Sequence, residues 1–324
     1  MSLYARFTSN GPSGFGYAST AEQVTAGLTL SGKTYLVTGC NSGLGQETCR
    51  VLVLRGARVI GTARTVEKAK AALAPFGGIT IPLACELSDP KSVRACVDSV
   101  KREGLKLDAL IANAGIMALP KLEQAFGYEL QFFTNHIGHF LLVTGLLGQL
   151  GDDCRVVMLS SSAIKMAPKE GIDFDNLSGA KHYGAWKNYG QSKLANLLFA
   201  KELARRFTGT KKTANAVHPG IIRTQLGRHM NPVANLLFGV VGELVLKTVS
   251  QGAATEVFVA TSPSLAGVSG KFFADVNVAK SRADGDDPAL AKRLWEVSER
   301  IAAELPGWSR DGRVPPLGTQ REAR

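Results

Sequence analysis

Thr34-Tyr35-Leu36-Val37-Thr38-Gly39-Cys40-Asn41-Ser42-Gly43-Leu44-Gly45 is a short β-rich run that passes directly into a glycine-rich turn. Tyr35, Leu36 and Val37 suit a buried strand, and the apolar spacing that resumes at Leu44 predicts a helix reaching about Arg55. Glycine lets the backbone turn tightly and approach another group closely. The free N–H groups and dipole of a helix start favour negative charge there. A glycine-rich turn between strand and helix can also occur without any ligand, so its meaning depends on whether βαβ units follow it.

Working outward, they do. Arg58-Val59-Ile60-Gly61 and Ile79-Thr80-Ile81-Pro82-Leu83 read as strands separated by a helical stretch from Val66 to Leu73. A helix over Pro90 to Lys101, the strand Asp108-Ala109-Leu110-Ile111-Ala112, a long helix within Leu122 to Leu150 and the strand Arg155-Val156-Val157-Met158-Leu159 continue the alternation. A helix from Ser192 to Arg206, a strand from Thr213 to Val217 and a late strand Gly270-Lys271-Phe272-Phe273-Ala274 complete it. Strands alternating with helices make a parallel sheet. The predicted fold is α/β: a Rossmann-like, doubly wound parallel sheet of about seven strands in a single domain.

In that setting Gly39, Asn41, Ser42, Gly43, Leu44 and Gly45 are candidates to cradle the pyrophosphate of a dinucleotide. The end of the second strand is where such folds choose between cofactors, using an acid for a free ribose hydroxyl or a cation for a ribose phosphate. Here it reads Gly61-Thr62-Ala63-Arg64, with no acid. The planar fork of Arg64 suits a phosphate, so NADP(H) is preferred over NAD(H).

The 324 residues, 45% apolar and 20% charged, describe an ordinary globular protein with a sizeable core. No Pro/Ser-rich linker divides the middle, so one domain is expected over residues 31–305, between an N-terminal arm (1–30) and a C-terminal tail (306–324). The formal charge is +11, yet Lys and Arg are scattered, and pairs such as Arg205-Arg206 and Lys211-Lys212 form no nucleic-acid stripe. Cys40, Cys49, Cys85, Cys96 and Cys154 stand singly, which fits free thiols in a reducing compartment and neither a disulfide framework nor a zinc site. His136, His139 and His218 form no spaced cluster with acids or thiols, so no metal is expected and they read as structural. The N-terminus lacks the apolar core of a signal peptide, and no run reaches the about 18 apolar residues of a membrane span. The expected location is cytoplasmic.

Tyr189 and Lys193 are spaced i and i+4, which on a helix points a phenol and an ammonium into one cleft. A nearby cation favours phenolate, which is expected to lower the tyrosine pKa and suit it to acid/base work. The bland alternative is a tyrosine ring stacked on a lysine stem. A second copy of the spacing, Tyr183 to Lys187, stands six residues earlier, so the pair alone decides nothing.

Thr38-Gly39-x-x-x-Gly43-x-Gly45, Asn113-Ala114-Gly115, Asn135, Ser161, Tyr189-x-x-x-Lys193 and Pro219-Gly220 follow one another in an order that resembles the short-chain dehydrogenase/reductase family over residues from about 30 to 305. Asn135-His136-Ile137-Gly138-His139-Phe140, Tyr189-Gly190-Gln191-Ser192-Lys193-Leu194-Ala195-Asn196 and His218-Pro219-Gly220-Ile221-Ile222-Arg223-Thr224 are most similar to its retinol dehydrogenase and WW-domain oxidoreductase branch. Lys292 to Ser298 also looks like that branch's C-terminal helix.

The resemblance implies a catalytic set of Asn135, Ser161, Tyr189 and Lys193. Tyr189 would give a proton to a carbonyl oxygen or take one from an alcohol, and Lys193 would bind the nicotinamide ribose and stabilise the phenolate. Ser161, the middle of Ser160-Ser161-Ser162, would hydrogen-bond the developing alkoxide, and Asn135 would hold a water linking Lys193 to solvent. Asn113, Ala114 and Gly115 would line the adenine ribose, and Pro219, Gly220, Ile222 and Thr224 the nicotinamide end. Where the family has Asp before Val or Leu, Glu86-Leu87 stands, and the longer acid is expected to accept from the adenine amine. Family members often pair through the helices around Asn135 and Tyr189, which leaves a homodimer or homotetramer open.

The 27 residues between Ser161 and Tyr189 leave room for a loop beside the pocket, where Ser162, His182, Tyr183 and Leu226 are candidate lining residues. Val233, Leu236, Leu237, Val240, Val241, Leu244 and Val245 share one helical face within 225–250. This predicts a substrate lid, against the alternatives of a packing surface or a peripheral membrane contact, and hence a lipophilic carbonyl or alcohol substrate. The expected activity is NADP(H)-dependent reduction of an aldehyde or ketone. A redox-sensing or scaffold protein that binds NADP(H) with little turnover, and a C=C reductase or epimerase, stay open as alternatives.

Overall fold

The computed structural model describes residues 8–222 and 246–308. Thr224, Leu226, most of the expected 225–250 lid and the tail from residue 309 lie outside the described residues.

Strands β1 (Thr34–Thr38), β2 (Arg58–Ala63), β3 (Thr80–Ala84), β4 (Leu107–Ala112), β7 (Leu150–Leu159), β8 (Thr213–His218), β9 (Phe272–Ala274) and β10 (Asn277–Val278) form one sheet in the order β10-β9-β8-β7-β4-β1-β2-β3. All pairings are parallel except that of β9 with β10. The sheet thus has eight strands where about seven were expected; the extra one is a two-residue edge strand reached through Asp275 and Val276. A separate hairpin pairs β5 (Gln124–Ala125) with β6 (Tyr128–Glu129).

Successive side chains of each strand face opposite layers. Leu36 joins a core built with helices α4 (Pro90–Arg102), α6 (Gly138–Gly145) and α7 (Ala185–Arg206), whereas Tyr35 and Val37 face α2 (Gly43–Leu54), α3 (Val66–Leu73) and α8 (Val249–Thr261). Helices on both faces of a parallel sheet bury its strands completely, which is why β1 is buried at every position. β1 pairs with β2 on one side and β4 on the other, so the chain reverses its winding there and opens a crevice at the carboxyl ends of the strands.

Two helices differ from expectation. The one sought within Leu122–Leu150 starts only at Leu130, after the hairpin, as α5 (Leu130–Phe132), and passes through a π turn at Phe133–Ile137 before α6. Helix α7 starts at Ala185 rather than Ser192, so Tyr189 and Lys193 share it, while Tyr183 precedes its cap residue Gly184 and makes no helical pair with Lys187.

The arm lies on the core where it is described. Its short helix α1 (Ala21–Val24) carries a capping box at Thr20 and buries Ala21 and Val24 beside Val257 and Phe258 of α8. At the other end, helix α9 (Pro288–Glu304) lays Trp295 against Phe140 and Phe199, with ring centroids 5.1 and 5.5 Å apart. The His136 ring nitrogen meets the Ser298 hydroxyl at 2.8 Å beneath it. With α9 in place every residue of α7 from Asn188 to Ala200 is buried within the single chain. The chain's own C-terminal helix thus packs against α6, α7 and the π turn that precedes α6.

Candidate active site

The glycine-rich turn closes because its glycines have no side chains. Gly39 takes a φ of +72°, and a Cβ on Gly45 would lie 2.3 Å from the Gly39 carbonyl oxygen and 2.4 Å from Asn113 Nδ2. Asn113 fastens this turn to β4 by donating from Nδ2 to the Thr38 carbonyl at 2.8 Å, and the Ala114 N–H donates to Thr38 Oγ1 at 2.9 Å. Asn41 and Ser42 are exposed at the mouth of α2, where Ser42 makes no side-chain capping bond. The first N–H groups of α2 therefore have no side-chain partner, the arrangement that receives a phosphate.

Arg64 stands exposed immediately after β2. After β3, Glu86 is engaged locally, its Oε1 accepting from the Ser88 N–H at 3.2 Å and the Ser88 hydroxyl at 2.9 Å. Leu87 is 4% exposed and packs against Gly138, so its side chain belongs to the core.

Asn135, Ser161, Tyr189 and Lys193 converge at the carboxyl ends of β4 and β7. The π turn carries Asn135 fully buried, with Oδ1 accepting from the Ile116 N–H at 2.8 Å and Nδ2 donating to the Ile116 carbonyl and to Ser192 Oγ, both at 2.9 Å. Gly115 lies between groups: a Cβ there would meet Asn135 Oδ1 at 3.0 Å and Lys193 Nζ at 3.2 Å. Lys193 Nζ donates to the Leu159 carbonyl at 3.1 Å, and Ser160 Oγ donates to the Lys193 carbonyl at 2.8 Å. These bonds tie α7 to the end of β7.

Gly190 brings Tyr189 to Ser161. A Cβ at Gly190 would lie 2.5 Å from the Ala163 carbonyl oxygen, so α7 packs flush against the turn Ser162–Met166 that Ser161 caps. Burial pushes the Tyr189 phenol up to about 12, and the Ser161 hydroxyl pulls in the opposite direction. The expected lowering by Lys193 is thus overturned: desolvation of the phenolate is the larger effect. The ammonium lies 5.8 Å from the ring centroid, and burial brings its own pKa down to about 8, opposed by the charge of Glu256.

His139 links the two halves of the site. Its Nδ1 lies 2.8 Å from the Asn135 carbonyl and must carry the proton, which leaves Nε2 to accept from Thr38 Oγ1 at 2.9 Å. A neutral ring follows, and burial lowers its pKa to about 4. His218 Nδ1 accepts from the Ser162 N–H at 3.2 Å and the Gly220 N–H at 3.4 Å, joining the serine turn to Pro219-Gly220. Among the described residues no group of His, Cys, Asp and Glu is placed to hold a metal.

Of the pocket residues, Ser162 lies on the site's rim, whereas His182 is exposed and paired with Asp173 at 3.3 Å. Tyr183 donates its hydroxyl to the Leu119 carbonyl at 2.6 Å and accepts from Gln131 Nε2 at 3.3 Å, so it is tied into packing. The exposed Trp186 meets the Tyr189 ring edge to face at 6.1 Å. Sequence reading missed Trp186 and Glu256. Glu256 is fully buried on α8, accepts from the Thr48 hydroxyl and has its pKa raised to about 7 by burial.

The short chain dehydrogenase family model matches residues 33–174. The chain is 39% identical to retinol dehydrogenase 14 of Homo sapiens, over 85% of this chain and 88% of that one. It is 40% identical to the short-chain dehydrogenase TIC 32 B, chloroplastic, of Brassica napus, over 94% and 100%. A short-chain dehydrogenase from Burkholderia cenocepacia J2315 crystallised with NADP superposes with a TM-score of 0.62 at 25% identity, over 76% of this chain and 98% of that one. The glycine-rich crevice, the four converging side chains and these relatives agree: the chain belongs to the short-chain dehydrogenases, in their retinol dehydrogenase-like branch.

Proposed function

We propose that this oxidoreductase reduces a lipophilic aldehyde or ketone, or oxidises the matching alcohol, with NADP(H), and that Tyr189 is its general acid/base. The observation that carries the reading is the placement of Ser161, Tyr189 and Lys193 together beside the crevice at β1 and β4.

The residues fit the cofactor. Gly39 and Gly45 let the turn close on Asn113 and Ala114 where a Cβ would clash, the start of α2 offers N–H groups to a pyrophosphate, and Arg64 offers a fork to a ribose phosphate. The NADP bound to the Burkholderia relative is in keeping with this preference. When bound, NADPH supplies the hydride. Lys193, charged at neutral pH, would hold the nicotinamide ribose, and its charge would favour the phenolate left after proton transfer. A phenol held protonated by burial suits proton donation to a carbonyl oxygen, while Ser161 holds that oxygen by a hydrogen bond. Water would relay the proton past Asn135.

A lipophilic substrate is supported by Trp186, an exposed indole against the catalytic ring, and by the retinol named in several relatives. The five free, buried thiols are in keeping with a reducing, cytoplasmic setting.

Turnover tests the reading. NADPH oxidation followed by absorbance across a panel of lipophilic carbonyls should find substrates whose products are the alcohols. Tight NADPH binding with no turnover of any member would favour a scaffold, and a saturated-bond or epimerised product would move the chemistry away from the carbonyl.

A further inference from the structure

We infer that Lys247 is a positioning residue for the Pro219–Ile222 wall of the crevice, and that the N-terminal segment around Tyr17 holds it in place. The inference rests on the reading that this wall meets the nicotinamide end of the cofactor.

Lys247 is 0% exposed, a costly place for an ammonium unless its partners are fixed. Those partners come from distant parts of the chain. Asp275 Oδ1 lies 2.6 Å from Nζ, and the Tyr17 ring lies under it with its centroid 4.7 Å away. Backbone bonds join the same residue to the wall. The Lys247 N–H donates to the Ile221 carbonyl at 3.0 Å, and Lys247 forms a parallel bridge with Ile222. Its stem lies flush on Gly220, whose φ is +93° and where a Cβ would stand 2.6 Å from Lys247 Cδ.

The wall in turn touches the cofactor helix. A Cβ on Gly252 would meet Ile222 Cδ1 and Leu44 Cδ2, each at 2.7 Å, so Ile222 and Leu44 converge on this glycine. A displaced Lys247 would therefore loosen both Gly220 and Ile222 without touching Asn113 or Arg64 at the adenine end.

Both partners of the ammonium are themselves held. Asp275 and Val276 take φ values of +49° and +64° in the two-residue turn between β9 and β10. Such values are strained for a β-branched residue and persist only where surroundings impose them. Here Val276 is fully buried, and its N–H donates to Thr255 Oγ1 at 3.2 Å. On the other side, Asn277 accepts from the Ser13 N–H at 3.0 Å and donates to the Phe15 carbonyl at 2.9 Å. Gln251 Nε2 donates to the Ala18 carbonyl at 3.1 Å, and Phe15 meets Phe258 edge to face at 5.8 Å. The arm is thereby bolted to α8 and the β9–β10 turn on both sides of Tyr17.

The test compares two ligands on the full chain: NADPH, which spans both ends of the crevice, and adenosine 2′,5′-bisphosphate, which reaches only the adenine end. Tyr17→Ala and Lys247→Met should each weaken NADPH binding about tenfold by fluorescence titration while the fragment binds as to wild type; tenfold corresponds to about 1.4 kcal/mol. Tyr17→Phe, which keeps the ring, should restore NADPH binding. Equal weakening of both ligands, or no change in either, would overturn the inference. Failure of the wild-type chain to bind NADPH would overturn the cofactor reading along with it.

Discussion

The Lys193 ammonium stands 5.8 Å from the centre of the Tyr189 ring and donates a hydrogen bond to the Leu159 carbonyl. The two residues share one helix face, yet burial acts on them in opposite directions. It holds the phenol at about 12 and brings the ammonium to about 8. Of the two, Lys193 is thus the one that titrates near working pH. For carbonyl reduction, kcat/KM reports the free enzyme. It should be flat from pH 6 to about 8 and fall above about 8 as the ammonium is lost. A rise through that range would show that a phenolate, and not a phenol, is the working form.

Gly190 sets the distance between the phenol and the Ser161 turn. Gly190→Ala places a methyl group 2.5 Å from the Ala163 carbonyl and must push α7 outward. The expected result is a fall in kcat of at least about tenfold, more than 1.4 kcal/mol of barrier, with NADPH affinity unchanged. Pre-steady-state turnover alongside fluorescence titration reads both. Equal loss of affinity and rate would point to general damage.

Arg64 is exposed at the end of β2, where no acid competes for the cofactor ribose. Arg64→Ser should raise KM for NADPH by about tenfold or more, since one charge-assisted pair to a phosphate is worth about 1.5–3 kcal/mol. KM for NADH should stay within about twofold. Parallel loss with both cofactors would place the phosphate elsewhere.

Acid should loosen the fold before it unfolds the usual carboxylate pairs. Burial lowers His136 to about 3 and His139 and His218 to about 4, against 6.5 when free. Below pH 6.5 the unfolded chain takes up protons that the folded chain refuses, so their contribution is present above 6.5 and is lost as pH falls toward 4. Glu256 acts in the other direction: its pKa is raised from 4.5 to about 7, so its cost is relieved over part of the same window. Three histidines against one acid leave a net loss. Denaturant midpoints at pH 6.5 and pH 5 should therefore differ, and His139→Asn should reduce the difference. A midpoint that rises on acidification would contradict this balance.

Local motifs were legible because each packs its meaning into a few residues. The glycine turn, Arg64 after β2 and the Tyr189 to Lys193 spacing all fall where the strands place them. The start of α7 was misread because its cap is Gly184, which makes no side-chain bond, and Trp186, Asn188 and Tyr189 are weak helix formers. Strand β10 escaped notice since its turn is Asp275-Val276, with none of the Asn-Gly character that marks such turns. The direction of the phenol's shift was missed for another reason: burial is a property of the whole fold, whereas i, i+4 spacing is not. Likewise Thr38 meets His139 across 101 positions and Thr48 meets Glu256 across 208, contacts that no local pattern announces.

The central claim is that Tyr189 delivers the proton beside a bound NADP(H). The most direct measurement is transfer of deuterium from 4-deuterated NADPH to the alcohol product, in wild type and in Tyr189→Phe, at saturating cofactor. Wild type should label the product, while Tyr189→Phe should bind NADPH within about threefold and lose at least about 1,000-fold in transfer, within the range general acid catalysis supplies. Transfer by Tyr189→Phe at close to the wild-type rate would contradict the account.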